Sequence, residues 1–219
     1  MKTRAVLDTA TMKWEPSPSG TVWRKRLHLV GEAEAGQVTS VVRYQPNSSF
    51  PIHDHPGGEE ILVLDGVFSD EHGDWPEGTY LLNPEGFRHA PFSKEGCLLL
   101  VKLRQYGGEG RHHVAIDTRH ATWKHEHKDG IARLTMYDRP GFPEKMILER
   151  WPPGASLGRR SFPGGAEYFV LEGGFEDEMG EYGLYSWLRL PAGAGHFPKS
   201  EHGCLCYMKI GGVSELQSA

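Results

Sequence analysis

His53-Asp54-His55-Pro56-Gly57-Gly58-Glu59-Glu60-Ile61-Leu62-Val63-Leu64-Asp65-Gly66 is the stretch on which the fold of this chain turns. On a β-strand, residues two apart project from one face, so His53 and His55 can present imidazoles to a common point. Pro56-Gly57-Gly58 breaks that strand and lets the chain return antiparallel, with Glu59 at the start of the returning strand. Ile61-Leu62-Val63-Leu64 is then a short apolar run closed by Asp65-Gly66, the pattern of a buried strand. Farther on, Gly78, Pro84, Gly86 and His89 bring more turns and one more imidazole. Two His and a carboxylate form the donor set of non-haem iron sites, and a third His suits Zn, Mn, Ni or Fe.

The same grammar recurs 107 residues later, without a gap. Gly57-Gly58 falls on Gly164-Gly165, Glu60 on Glu167, Val63-Leu64 on Val170-Leu171 and Gly66 on Gly173. Phe68 meets Phe175, Asp70-Glu71 meets Asp177-Glu178, His89 meets His196, and Gly96-Cys97 meets Gly203-Cys204. Matches concentrated at turn residues in one register mark a duplicated unit. Val41-Val42-Arg43-Tyr44 and Leu98-Leu99-Leu100-Val101 read as further strands of the first copy. Met146-Ile147-Leu148, Tyr168-Phe169-Val170-Leu171 and Leu205-Cys206-Tyr207-Met208 take the corresponding places in the second. No capped helical stretch stands out, so the expected class is all-β. The reading divides the chain into an extension (1–20), a first barrel (21–106), a connector (107–121), a second barrel (122–213) and a tail (214–219). The extension is expected to be irregular or an added edge strand.

The second copy has lost its donors. Arg160, Phe162 and Ala166 stand in the places of His53, His55 and Glu59, and His196 alone survives. A guanidinium does not deprotonate to become a ligand, and Phe and Ala offer nothing to a metal. The second interior is therefore expected to hold no metal and to be filled by Phe162, with Arg160 either core filling beside a partner interface or a receptor for a carboxylate ligand. His125-Glu126-His127 repeats the H-x-H spacing, but no carboxylate follows at motif distance, so an exposed strand or turn is expected. His112-His113 is read as solvated connector, and Cys204 and Cys206 as core residues on one strand face.

Composition closes off several classes. A chain of 219 residues can bury about 70% of its unfolded surface and needs no disulfide scaffold. The 28 glycines and 15 prolines suit many short strands joined by turns. The formal charge is −5 and no basic run interleaves with aromatics, so direct nucleic-acid binding is not expected. No run of about 18 apolar residues and no signal-like N-terminus is present, so no membrane partner is expected. Three cysteines without Cys-x-x-Cys point to a reducing, cytoplasmic setting.

These motifs resemble those of the cupin superfamily. Its first, G-x5-H-x-H-x3,4-E-x6-G, is matched by His53-x-His55-x3-Glu59-x6-Gly66, and its second, G-x5-P-x-G-x2-H-x3-N, by Gly78-x5-Pro84-x-Gly86-x2-His89. Asn47 replaces the leading Gly and Ser93 the closing Asn. The resemblance implies two tandem cupin (double-stranded β-helix, jelly-roll) barrels and one divalent metal, Zn first and Fe, Mn or Ni as alternatives. Its ligands would be His53, His55, Glu59 and His89. Glu60 is the rival carboxylate, but it leaves five residues before Gly66 and points to the opposite strand face from Glu59. It also recurs as Glu167 where the ligands are gone, which suits a structural role.

Most of residues 12–105, and more weakly 122–212, further resemble the cupin half of ChrR-type anti-sigma factors. The likeness rests on the Trp14-Glu15-Pro16 lead-in, Glu59 to Glu71, Pro84 to His89, and Ser93-Lys94-Glu95-Gly96-Cys97. That resemblance implies a zinc-binding sensory or regulatory protein. The chain lacks the His-x3-Cys-x2-Cys of the sigma-gripping zinc domain, which puts a sigma-factor partner in doubt. The alternative is a mononuclear-metal dioxygenase cleaving diketones or phenols, or another small-molecule enzyme. Its ligand would lie in the first barrel, with Tyr44, Phe50, Phe87, Arg88 and Phe92 as pocket candidates. A homodimer is compatible with either reading.

Overall fold

The computed structural model describes residues 3–125 and 130–213. It is built of short antiparallel strands, and no α-helix occurs among the described residues. No helix there is long and apolar enough to cross a membrane. The chain separates into two compact units. Met12–Ala121 makes one, and the N-terminal eleven residues join the chain from Thr122 onward in the other.

The first unit's main sheet runs, in spatial order, Val114–Asp117, Thr79–Asn83, Glu59–Asp70, Cys97–Leu103, Gln37–Tyr44, Val22–Val30 and Glu15–Pro16. Three short pairings complete the unit: His53–His55 with Phe87–His89, Ser48–Ser49 with Phe92–Ser93, and Gly73–Pro76 with the end of Glu59–Asp70. Val42, Tyr44, Ile61, Val63, Phe68, Leu99 and Val101 form its core. Every residue from Glu59 to Leu64 is buried, so both faces of that strand are covered, as its unbroken apolar run requires.

The second unit repeats the plan: Ala5–Asp8, Ser186–Leu190, Ala166–Gly173, Cys204–Ile210, Lys145–Trp151, Ala132–Asp138 and Lys124–His125. The segments expected as extension and connector thus each carry a strand. Ala5–Asp8 pairs with Ser186–Leu190, and Val114–Asp117 pairs with Thr79–Asn83. Alternation hints at this, since Ala5-Val6-Leu7-Asp8-Thr9 and Val114-Ala115-Ile116-Asp117-Thr118 are near-copies.

Turn chemistry explains the matched glycines. Gly66 has φ +75°, and a Cβ there would sit 2.3 Å from the Gly96 carbonyl oxygen. Gly173 has φ +64°, with its virtual Cβ 2.1 Å from the Gly203 oxygen. Asn47, the departure from the cupin pattern, has φ 61°, and its counterpart Gly154 has φ +75°. Asn tolerates the left-handed region better than most residues, so the departure keeps the turn. Ser93, the other departure, donates from its hydroxyl to the Val67 carbonyl at 2.6 Å, as Ser200 does to Gly174 at 2.5 Å.

Candidate metal centre

The antiparallel pair His53–His55 and Phe87–His89 sets His89 directly opposite His53 and Phe87 opposite His55. The three imidazoles therefore share one face, and a donor nitrogen from each lies within 4.8 Å of the others. His55 Nε2 is 2.9 Å from His89 Nε2. Glu59 enters from the returning strand, its Oε2 3.5 Å from both of those nitrogens. All four predicted residues are thus in one place.

Their orientation is fixed from behind. The Pro51 carbonyl can only accept, so His53 carries its proton on Nδ1, 2.9 Å away, and leaves Nε2 with its lone pair. His89 Nδ1 donates to Asp70 Oδ2 at 3.0 Å. Asp70 is itself held by Trp75 Nε1 at 3.1 Å and the His72 backbone N–H at 2.9 Å. Asn83 Nδ2 donates to Glu59 Oε2 at 2.9 Å, and His113 Nδ1 donates to Asn83 Oδ1 at 2.9 Å. Carboxylate and amide partners behind metal-binding groups raise ligand basicity and lock geometry.

Electrostatics fit a cation. Burial, with the charges of His89, His53 and Arg104 adding to it, pushes His55 down to about 3. Burial pushes the Glu59 carboxyl up to about 7, against the pull of His89 and the Asn83 hydrogen bond. Burial opposes protonation of His89, but Asp70 and Glu59 overcome it and raise its pKa. His55 Nε2 and His89 Nε2 stand 2.9 Å apart, close enough to share one proton between them. A divalent ion would take the place of that proton and would relieve the buried carboxylate. Three nitrogens and one oxygen suit Zn, Fe, Mn or Ni alike.

Glu60 behaves as the structural residue its recurrence suggested. It is buried on the other strand face, where Tyr106 Oη donates to its Oε2. It lies opposite Lys102 in the ladder, as Glu167 lies opposite Lys209.

A cavity of about 490 Å³ reaches the centre. His53, His55 and Glu59 line it, together with the predicted Tyr44 and Phe50. Phe87, Arg88 and Phe92 do not. Arg88 is an exposed partner of Asp54 at 2.8 Å, Phe87 stacks on His113 with ring centroids 5.2 Å apart, and Phe92 pairs with Ser49. His113 is exposed, as its place in the connector suggested, and it is also tied to Asn83 and Phe87. Asp70, Asn83 and Arg104 were missed as site residues. Only Asp70 carried a signal, its match to Asp177.

The second unit keeps the frame and fills the centre. His196 Nδ1 donates to Asp177 at 2.9 Å, but its Nε2 meets Tyr168 Oη at 3.0 Å. Phe162 is buried among Tyr168, Phe175 and Trp151. Arg160 grips Glu149 with two bonds, of 2.6 and 3.0 Å, so its carboxylate comes from this chain. Arg133 and Trp151 bind the same carboxylate, at 2.6 and 2.9 Å. The three cysteines are free and buried, with Cys204 and Cys206 in the core. His125 ends a short exposed strand, and Glu126 and His127 lie outside the described residues.

The family model for the ChrR cupin-like domain matches twice, over residues 2–107 and 111–214. The chain belongs to the ChrR cupin-like family. Each match begins just before one of the exchanged strands, so each family repeat of this bicupin lends its first strand to the sheet built by the other. No curated protein matches the sequence. Solved structures resemble the fold at low identity. A dioxygenase candidate from Nostoc punctiforme PCC 73102 is 15% identical, with a TM-score of 0.76 over 100% of this chain and 85% of that one. YlbA from E. coli is 17% identical, with a TM-score of 0.72 over 95% and 91%. The pirin YhhW from E. coli, solved with nickel(II), is 12% identical, with a TM-score of 0.68 over 95% and 99%.

Proposed function

We propose that the first unit is a mononuclear-metal small-molecule enzyme, with His53, His55, Glu59 and His89 as ligands of one divalent ion. The observation that carries this reading is the cavity of about 490 Å³ lined by three of those residues. A packed interior would have left a metal no chemistry to do, whereas pockets of this size suit small organic ligands. When bound, the ion would act as a Lewis acid or as a site for dioxygen. The chain's own residues do the rest. Asp70 holds the proton of His89 on Nδ1, Asn83 aims Glu59, and Val42, Leu99 and Val101 give the cavity an apolar wall that limits water. The free cysteines are consistent with a reducing, cytoplasmic setting.

A second reading, a zinc-dependent sensory or regulatory protein, is favoured by the family match over both halves. Metal analysis of the native protein, coupled to oxygen uptake with a panel of diketones and phenols, separates the two. Metal-dependent turnover that disappears in His55→Ala supports the enzyme. Zinc as isolated, with no turnover on any panel member under iron or manganese loading, supports the sensor.

A further inference from the structure

Three guanidinium groups line the first-unit cavity: Arg24, Arg26 and Arg104. Two are neutralised. Arg24 holds Glu34 with both carboxylate oxygens, at 2.7 and 2.8 Å, and Arg26 pairs with Glu15. Arg104 differs. Among the described residues its half-buried side chain makes no hydrogen bond, ion pair or ring contact; only its backbone is engaged, donating to Gly58 at 2.9 Å and accepting from Gln37 at 3.0 Å.

That backbone is left-handed, with φ 60°. The counterpart in the second unit is Gly211, φ +81°, whose N–H makes the same bond to Gly165 at 2.8 Å. A long side chain at such a position is strained where glycine is not. Tyr185, another non-glycine residue with positive φ, gains a stacking contact with Phe169 at 5.6 Å. Arg104 gains no such contact, yet it places a guanidinium on the wall of a cavity that also holds the metal-binding side chains. The second unit shows what a guanidinium in a barrel interior does here: Arg160 grips a carboxylate with both of its terminal nitrogens.

We infer that Arg104 is the anchor for a carboxylate on the molecule that enters the first-unit cavity. The ligand class is a small organic acid with an apolar body, its acid end on Arg104 and its other end toward the metal centre. Bidentate guanidinium–carboxylate pairing gives orientation as well as affinity. The apolar body would lie against Val22, Val42, Leu99 and Val101. The inference rests on the metal-centre reading, and it supplies the substrate class that reading lacks.

The test is calorimetric binding of matched acids and amides to metal-loaded protein: benzoate, 4-hydroxybenzoate, phenylacetate and hexanoate against their primary amides. Wild type is expected to bind at least one acid ten times or more tighter than its amide. Arg104→Gly, which restores the residue the backbone prefers, is expected to melt no lower than wild type and to lose that preference. Arg104→Gln, which keeps the stem and removes the charge, is expected to lose it too. Absence of acid preference in wild type, or its persistence in Arg104→Gly, overturns the inference. Metal content is measured on the same samples. A metal-free wild type would refute the metal centre, whereas a metal-bound one without acid preference would refute only Arg104.

Discussion

The two units share strand order, turn glycines and an Asp–His pair, yet their interiors have opposite solutions for buried charge. In the first, three imidazoles and Glu59 face each other across a few ångströms, with a cavity beside them. In the second, the surviving His196 is answered by Tyr168, and the buried charge is an internal Arg160–Glu149 pair. Glu149 stands where the first unit has Val42, and Arg160 where it has His53. The second unit therefore carries its own cation. The first is built to receive one. Loss of metal ligands in a duplicated barrel did not leave a bare cavity lined with polar groups; aromatic rings and a closed ion pair took the space.

The comparison is broken most forcefully at Glu149. Glu149→Ala leaves Arg160 buried without its carboxylate and is expected to cost about 4 kcal/mol in denaturant unfolding. A change below about 1 kcal/mol would mean that the pair is not what closes the second interior. Next in size is ligand-linked stability. A divalent ion at about a hundred times its Kd should raise stability by about 2.7 kcal/mol. That gain should vanish in His89→Ala and persist in His196→Ala, as thermal melts with and without chelator will show. Asp70→Asn should weaken metal binding by about tenfold, because it removes the anion that orients His89, while Asp177→Asn should leave affinity unchanged. Competition titration against a chromophoric chelator measures both.

The smallest effect is in pH. Glu149 is held below its ordinary range; burial pushes the other way, but the bonds from Arg160, Trp151 and Arg133 win. A depressed carboxyl contributes stability that is fully present above its unfolded value, 4.5, and is lost as pH falls through the lower folded value. Each unit of depression is worth about 1.4 kcal/mol. Wild type should therefore lose stability below pH 4.5 more steeply than Glu149→Gln. Parallel acid profiles would refute the ion-pair account.

Much of this contrast was legible in the chain itself. His53, His55 and Glu59 could be brought together on paper because strand alternation and a Pro-Gly-Gly turn place them by local geometry, whereas His89 joined them only through the resemblance to the second cupin motif. Asn83 and His113 could not be read in this way, because each acts through a partner set by long-range pairing rather than by spacing, and Arg104 could not, because only the fold brings it to the cavity wall. The exchanged strands were hidden for a related reason. Ala5–Asp8 finds its neighbour at Ser186–Leu190, far along the chain, and four residues of weak alternation do not announce such a partner. Arg160 left two readings open, core filling or a receptor for a carboxylate ligand, and the carboxylate it holds is Glu149 of the same chain, which spacing alone could not reveal.

The most direct measurement is metal stoichiometry by elemental analysis on purified wild type, His53→Ala/His55→Ala and His196→Ala. One ion per chain in wild type and in His196→Ala, with none in the double variant, is the predicted result. Metal retained after loss of both first-unit histidines, or lost with His196, would contradict an account in which a single cation belongs to the first barrel.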